Sequence, residues 1–90
     1  MEWQNNQPKD ALNWAETIDY VSKNEDFRLP TKEELVLAFQ NKTDGFNKSL
    51  YWTCDEIESL KSIFFVDFYK GVVSFCGKDS KLFVRLIKKS

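Results

Sequence analysis

The residues best suited to chemistry in this sequence are three carboxylates that lie close together, Asp55, Glu56 and Glu58. A hard cation such as Ca²⁺ takes about six to eight oxygen ligands, and a group of this kind could supply several of them. The other interpretation is a solvated acidic loop with no chemistry of its own. The spacing alone leaves both open.

The chain contains no histidine, and this narrows the reactions it could perform. Without histidine there is no Ser-His-Asp or Cys-His nucleophile system and no His-based zinc site. Three scattered glycines, Gly45, Gly71 and Gly77, cannot form a phosphate-binding loop. We therefore expect no catalytic residues, no metal and no cofactor. The remaining enzymatic alternative uses an unfamiliar carboxylate or thiol.

The two cysteines offer no recognisable redox or metal motif. Cys54 and Cys76 are too far apart in the chain for a C-x-x-C motif. We expect two small, reduced core residues, each at the end of a strand. Whether they pair stays open, because a disulfide needs Cα atoms within about 7 Å of each other.

Length and composition predict one folded domain over residues 1–90. The chain is 42% hydrophobic and 16% aromatic, which lets so short a sequence fill a core. No apolar stretch approaches the ~18 residues of a transmembrane helix. The first six residues have neither a basic nor an apolar signal region, so we expect a cytoplasmic protein.

The net charge of −1 is unevenly distributed along the chain. Residues 1–60 hold six Lys and Arg against twelve Asp and Glu, which gives −6, whereas residues 61–90 hold seven against two, which gives +5. The two parts could pair within the fold, or they could form a dipolar surface that steers a charged partner. A sequence pI near 5.4 argues against nucleic acid as that partner.

The first helix is predicted from the spacing of its apolar residues. Pro8 suits a first turn, because that position needs no backbone N–H. Apolar residues then recur at the spacing of one helical face, at Ala11, Trp14, Ala15, Ile18 and Val21. The pattern predicts a helix over 8–23.

A second helix follows a short extended segment at 27–31, since the residue before Pro30 is disfavoured in the α region. Thr31 and Glu34 have the spacing of a capping box, in which each side chain accepts from the backbone N–H of the other residue. The helix is predicted over 32–41, and it buries Leu35, Ala38 and Phe39.

The remainder of the chain alternates apolar segments with turns. Strands are predicted at 50–53, 63–69, 72–76 and 82–88, with turns at 70–71 and 77–80 and an acidic loop at 54–61 that could hold one helical turn. Helices followed by strands favour the α+β class. We expect two N-terminal helices packed on a small antiparallel sheet that ends in a β-meander.

Six fragments stand in the same order as the motifs of a known family. They are residues 1–4, 13–15, 27–35, 51–53, 66–71 and 83–88, of which "RLPT..EL" at 28–35 is the most specific. In this order the chain resembles the Lcl C-terminal domain family. The resemblance implies a compact variant of the C-type-lectin-like and formylglycine-generating-enzyme-like fold.

Nine residues belong to these motifs, and we expect them to be structural. Trp14 should anchor the first helix on the sheet. Arg28 should donate to carbonyls or a carboxylate at the edge of the core, and Arg85 should lie on the opposite face of its strand from Leu82, Val84 and Leu86. The full set is Trp14, Arg28, Leu29, Pro30, Thr31, Glu34, Trp52, Gly71 and Arg85.

The function that the sequence favours is a non-catalytic protein-binding module. A minimal, cytoplasmic copy of the fold that the resemblance implies fits a small phage or mobile-element accessory protein, one that inhibits a host enzyme or a defence complex such as CRISPR-Cas. The candidate binding surface comprises Phe46, Tyr51, Asp55, Glu56 and Glu58. The alternative is a lectin-like carbohydrate- or receptor-binding module, which would use Phe46 or Tyr51 as an exposed aromatic platform.

Overall fold

A computed structural model describes residues 2–89, and Met1, where the first family-like fragment begins, lies outside this range. Within it the chain forms two α-helices, five strands and one 3₁₀ turn. In chain order they are α1 (Trp14–Ser22), β1 (Phe27–Arg28), α2 (Lys32–Gln40), β2 (Leu50–Ile57), the 3₁₀ turn (Glu58–Leu60), β3 (Ser62–Asp67), β4 (Val72–Gly77) and β5 (Ile87–Lys88). The predicted α+β class is confirmed.

The strands form two antiparallel sheets. One is the meander β2-β3-β4, and the other pairs β1 with β5. The predicted strand at 82–88 is therefore mostly wrong, because only Ile87–Lys88 is a strand and it does not join β4. The chain before it runs alongside other segments through single bridges, Leu82 with Leu12 and Phe83 with Tyr51.

Helix α1 begins six residues later than the predicted start at residue 8. Asn13 caps it: its side chain accepts from the Glu16 N–H at 2.9 Å, and Glu16 accepts from the Asn13 N–H at 2.9 Å. This capping box competes successfully with the start suggested by Pro8. The buried face also differs, since Trp14 and Thr17 are buried whereas Ile18 is 46% exposed.

Helix α2 has the predicted capping box and nearly the predicted length. Thr31 Oγ1 accepts from the Glu34 N–H at 3.1 Å, and Glu34 Oε1 accepts from the Thr31 N–H at 2.8 Å. Leu35 and Ala38 are buried, as expected, while Phe39 is half-buried.

Strand β2 is twice as long as predicted. It continues through Asp55 and Glu56 to Ile57, and its register with β3 shifts between Trp52 and Glu56. The acidic segment is therefore a strand with an irregularity followed by one 3₁₀ turn, and not a loop. Charged side chains can occupy a strand where its outer face meets solvent.

The meander sheet lies between two apolar clusters. Successive strand residues point to opposite faces, so Ile63 joins one cluster and Val66 the other. The first cluster comprises Trp14, Leu29, Trp52, Ile63, Leu82, Val84 and Leu86. The second comprises Leu35, Ala38, Tyr51, Val66 and Phe68, and it holds α2 on the sheet. Both faces of the sheet are thus used for packing.

Gly71 closes the turn between β3 and β4. Its φ is +72°, and a Cβ at this position would lie 2.5 Å from the ring of Phe39. Glycine is needed here both for the left-handed backbone and for the close approach of the aromatic ring.

Neither helix in residues 2–89 is long and apolar enough to cross a membrane.

Trp14 links α1 to the sheet, and its removal tests the first cluster. Its ring meets Trp52 edge-on at 5.3 Å between centroids, and Trp52 Nε1 donates to the Leu12 carbonyl at 2.8 Å. We expect Trp14→Ala to lower the free energy of unfolding by about 3–5 kcal/mol. Urea denaturation measures this loss.

The matched control is Ile18→Ala, four residues along the same helix. Because Ile18 is 46% exposed, its truncation should cost less than about 1 kcal/mol. A small domain is stable by about 5–13 kcal/mol, so Trp14→Ala should be close to unfolding. Equal losses in the two variants would show that Trp14 does not anchor the helix.

Candidate functional site

The two aromatic residues of the predicted binding surface are not available to a partner as expected. Tyr51 is 1% exposed, and its hydroxyl accepts from the Asn47 N–H at 2.8 Å. Phe46 is half-buried, stacked on Phe68 at 4.5 Å between ring centroids and edge-on to Trp3 at 5.1 Å. The prediction of an exposed aromatic platform at these positions is therefore wrong, because both rings pack in the second cluster.

The three predicted carboxylates do not act as one group. Asp55 is half-buried, and its Oδ2 accepts from the Lys32 N–H at 2.8 Å at the first turn of α2. A carboxylate at this position stabilises a helix. Glu56 and Glu58 are exposed. Within residues 2–89 no three Cys, Asp or Glu side chains lie close enough to hold a metal ion.

Arg28 and Glu34 form a two-pronged ion pair at the start of α2. Both guanidinium Nη atoms donate to the carboxylate at 2.8 Å, and Nη1 also donates to the Leu29 carbonyl at 3.3 Å. Hydrogen bonds from Arg28, with further bonds from Thr31, lower the pKa of Glu34 to about 2. Arg28 therefore donates to a carbonyl and a carboxylate at the edge of the core, as predicted from the sequence.

Arg85 is a buried cation whose partners are carbonyl groups. It is 6% exposed; Nε donates to the Gln4 carbonyl at 2.9 Å and Nη1 to the Asp44 carbonyl at 2.6 Å. The guanidinium carbon lies 4.6 Å from the ring centre of Phe46 and 5.9 Å from that of Trp3. Burial lowers its pKa. Every polar contact of this side chain is internal to the fold.

The cysteines are free, and one of them is not where we expected it. Cys54 is exposed rather than in the core, whereas Cys76 is half-buried against the first cluster. Burial raises the pKa of both thiols, so little thiolate is present near neutral pH. A nucleophilic thiol is not favoured at either position.

The backbone of β4 has one side with no partner, and the direction of its groups follows from β3. The N–H of Phe68 donates to the Ser49 carbonyl at 2.8 Å, so even-numbered residues of β3 direct their backbone groups to β2. Odd-numbered residues must then bond to β4, because the direction alternates along an antiparallel strand. Their partners on β4 are Val72, Ser74 and Cys76.

Val73 and Phe75 consequently direct their N–H and C=O groups away from the sheet. No backbone group from elsewhere in residues 2–89 bonds to them. Natural edge strands are usually protected by charges, proline, a bulge or a covering segment. Strand β4 has neither charge nor proline over its six residues, and its register with β3 is unshifted.

The same edge carries exposed apolar side chains. Val72 is 50% exposed, Phe75 is 48% exposed, and Leu37 on α2 is 42% exposed. Between α2 and β4 lies a mainly apolar groove of about 410 Å³, lined by Lys32, Glu33, Val36, Leu37, Gln40 and Val73. Phe75 and Leu37 lie on the α2 face of the sheet, with the groove, whereas Val72 lies on the other face. Exposed apolar side chains beside an apolar groove are typical of an interaction surface.

Sequence reasoning missed this surface, although a sign of it is present. The run Val72–Gly77 contains no charged residue, and a charge-free strand matters only at an edge. We expected the final segment, 82–88, to follow in the meander, which would have covered β4. Its actual pairing with β1 leaves the edge free.

A second concave surface is lined by amides. This cleft of about 570 Å³ is bounded by Gln4, Asn5, Asn6, Gln7, Pro8, Tyr20, Asn24 and Phe27. Four of its six polar side chains already have partners in the fold, among them Tyr20, which donates to Gln4 at 3.0 Å, and Gln4, which donates to Asn24 at 3.3 Å. Its lining has no charged residue, which suits a neutral polar ligand.

The low pKa of Glu34 makes stability depend on pH. A carboxyl whose pKa is below its unfolded value stabilises the fold above that unfolded value, near 4.5, and loses this effect as pH falls towards about 2. Glu34→Gln should therefore be less stable at pH 7 and should show a flatter decline between about pH 5 and pH 2. Urea denaturation across this range measures both effects.

Glu33→Gln is the matched control, since its side chain is 72% exposed on the same helical turn. We expect its stability to follow that of the wild type at each pH. Equal pH dependence in the two variants would contradict the assigned role of Glu34.

Replacing Arg85 by Lys tests the buried guanidinium. Lysine keeps the charge but cannot reach two carbonyls in the fixed geometry of the guanidinium. The lost bonds should lower the free energy of unfolding by about 2–3 kcal/mol. In the control Lys88→Gln, the side chain is 51% exposed and lies 3.8 Å from Glu2, so the change should be within about 0.5 kcal/mol. Similar losses of stability in the two variants would show that the buried guanidinium of Arg85 does not stabilise the fold.

Comparison with known proteins supplies no family for the chain: no protein-family model matches it, and no curated protein matches it either. The resemblance to the Lcl C-terminal domain family stays a prediction from the six ordered fragments.

Proposed function

We propose that the protein is a non-catalytic protein-binding module that accepts an extended segment of its partner along β4. One observation carries this proposal: the outward backbone groups of Val73 and Phe75 have no partner within residues 2–89, and no charge, proline or bulge protects them. An extended peptide that adds a strand to such an edge gains main-chain hydrogen bonds. The unprotected edge thus offers affinity without any new backbone arrangement.

The groove beside the edge adds selectivity. Val73 contacts the second cluster, so the odd-numbered side chains of β4 lie on the α2 face. A partner residue placed opposite Val73 or Phe75 would direct its side chain to that same face, over Val36 and Leu37. Alternate partner side chains would therefore enter an apolar groove, which is how strand addition obtains sequence preference.

Within this proposal we place the protein as a small phage or mobile-element accessory protein. Strand addition would let it occupy part of a host enzyme or a defence complex such as CRISPR-Cas and block its action. We also place it in the cytoplasm. Free Cys54 and Cys76 suit a reducing compartment, and the charge is segregated along the chain as in a protein that docks to a charged partner.

The amide-lined cleft favours a second candidate function. Neutral amides beside a phenol and the half-buried ring of Phe27 are the groups that hold a saccharide by hydrogen bonds and stacking. A lectin-like activity would therefore use this cleft in place of Phe46 and Tyr51. The β4 edge remains the favoured site, because its polar groups lack partners whereas most of those in the cleft have them.

A displayed library of random ten-residue peptides, selected on the wild-type protein, tests the edge. Selected peptides should still bind Phe75→Ala, and any loss of affinity relative to the wild type should reflect only the missing contact with the ring. Phe75→Pro removes the same ring and also the outward N–H, while proline at this position leaves the ladder with β3 intact. The selected peptides should bind Phe75→Pro about tenfold more weakly than they bind Phe75→Ala, because one hydrogen bond is worth about 1–1.5 kcal/mol.

Thermal unfolding of both variants provides the folding control. The two should melt within a few degrees of each other, since the N–H that proline removes has no partner in the free protein. Selected peptides that bind Phe75→Ala and Phe75→Pro equally would contradict strand addition at β4. If the wild type binds saccharides on a glycan array and Tyr20→Phe or Asn24→Ala loses that binding, the result would support the amide-lined cleft as the site instead.

A further inference from the structure

The two ends of β4 carry positive charge. Lys70 precedes the strand and Lys78 follows it, and both are exposed. Lys81 lies just beyond, while Asp79 is the one acidic residue in the turn between them. The strand lies in the part of the chain, residues 61–90, that holds seven basic and two acidic residues. The free edge is thus apolar in the middle and basic at its ends.

This charge pattern disfavours a second copy of the chain as the occupant of the edge. Outward-facing residues must lie opposite one another in an antiparallel pair, so only registers such as Val73 opposite Phe75 or Phe75 opposite itself are allowed. In the first register the turn that holds Lys70 lies beside the turn that holds Lys78 of the second copy, at both ends. In the other register the same turns are still neighbours. Like charges brought together at the ends of a strand pair repel one another.

We propose that the occupant of the β4 edge is an extended protein segment with an apolar, β-branched centre and acidic residues at both ends. This inference rests on the proposed function and adds to it the chemistry of the partner. The acidic ends would meet Lys70 and Lys78, and alternate central residues would enter the groove formed by Val36, Leu37 and Val73. Charge thereby separates the correct segment from a second copy.

Two synthetic peptides with one shared centre test this inference. Both contain Val-Thr-Val-Thr-Val; one is flanked on each side by Asp-Glu and the other by Lys-Lys, and fluorescence anisotropy measures their binding. At about 50 mM salt the acidic peptide should bind at least about tenfold more tightly than the basic one. At about 500 mM salt the difference should shrink to about threefold or less, because exposed charges are then screened.

Charge-reversed variants locate the effect. Lys70→Glu/Lys78→Glu should reverse the preference, so that the basic peptide binds more tightly. Lys9→Glu/Lys23→Glu makes the same change in net charge at exposed positions near α1 and should retain the preference for the acidic peptide. Phe75→Pro should weaken the acidic peptide about tenfold relative to Phe75→Ala.

The outcomes separate this inference from the proposed function. Equal binding of the two peptides, each weakened in Phe75→Pro, would leave strand addition standing and overturn the acidic partner. Absence of binding by the acidic peptide at millimolar concentration would overturn the inference. Sedimentation that shows a dimer of the wild type, lost in Phe75→Pro, would overturn it as well and make a second copy the occupant.

Discussion

The interaction on which the structure most depends is the burial of the Arg85 guanidinium between carbonyl groups and aromatic rings. One side chain joins the N-terminal segment, through the Gln4 carbonyl, to the loop before β2, through the Asp44 carbonyl. Burying a cation without a carboxylate partner costs free energy. Here the hydrogen bonds to the two carbonyl groups and the contacts with the aromatic faces of Phe46 and Trp3 together offset that cost. The close fit extends to Gly45, where a Cβ would lie 2.8 Å from Nη1.

This arrangement explains why the ring of Phe46 is not an exposed platform. Arg85 draws the ring of Phe46 inward, where it packs with Tyr51 and Phe68, and these rings fill the cluster that holds α2. Asp55 is used in a similar way, as a cap for α2. Of the residues most suggestive of binding in the sequence, Phe46, Tyr51 and Asp55 are thus committed to contacts within the fold, whereas the edge of β4 is unused.

The parts of the fold that could be predicted from the sequence are those fixed by neighbouring residues. Thr31 and Glu34 are three positions apart, so their capping box follows from the sequence alone. Asn13 and Glu16 have an equivalent pattern, which the apolar spacing after Pro8 obscured. The contact of Asp55 with Lys32 and the burial of Tyr51 depend on distant segments. The free edge of β4 likewise depends on β5 pairing with β1, a choice that no local pattern determines.

An uncovered apolar edge normally favours aggregation, and its presence here needs a physical reason. The protective charges of β4 lie at its ends instead of within it. Lysines there repel a second copy in the registers that backbone geometry allows, yet they leave the central N–H and C=O groups of Val73 and Phe75 accessible. A charge within the strand would disfavour the apolar centre of a partner segment. Placement at the ends discourages pairing between copies while keeping the edge open to a segment of opposite charge, so specificity and protection arise from the same residues.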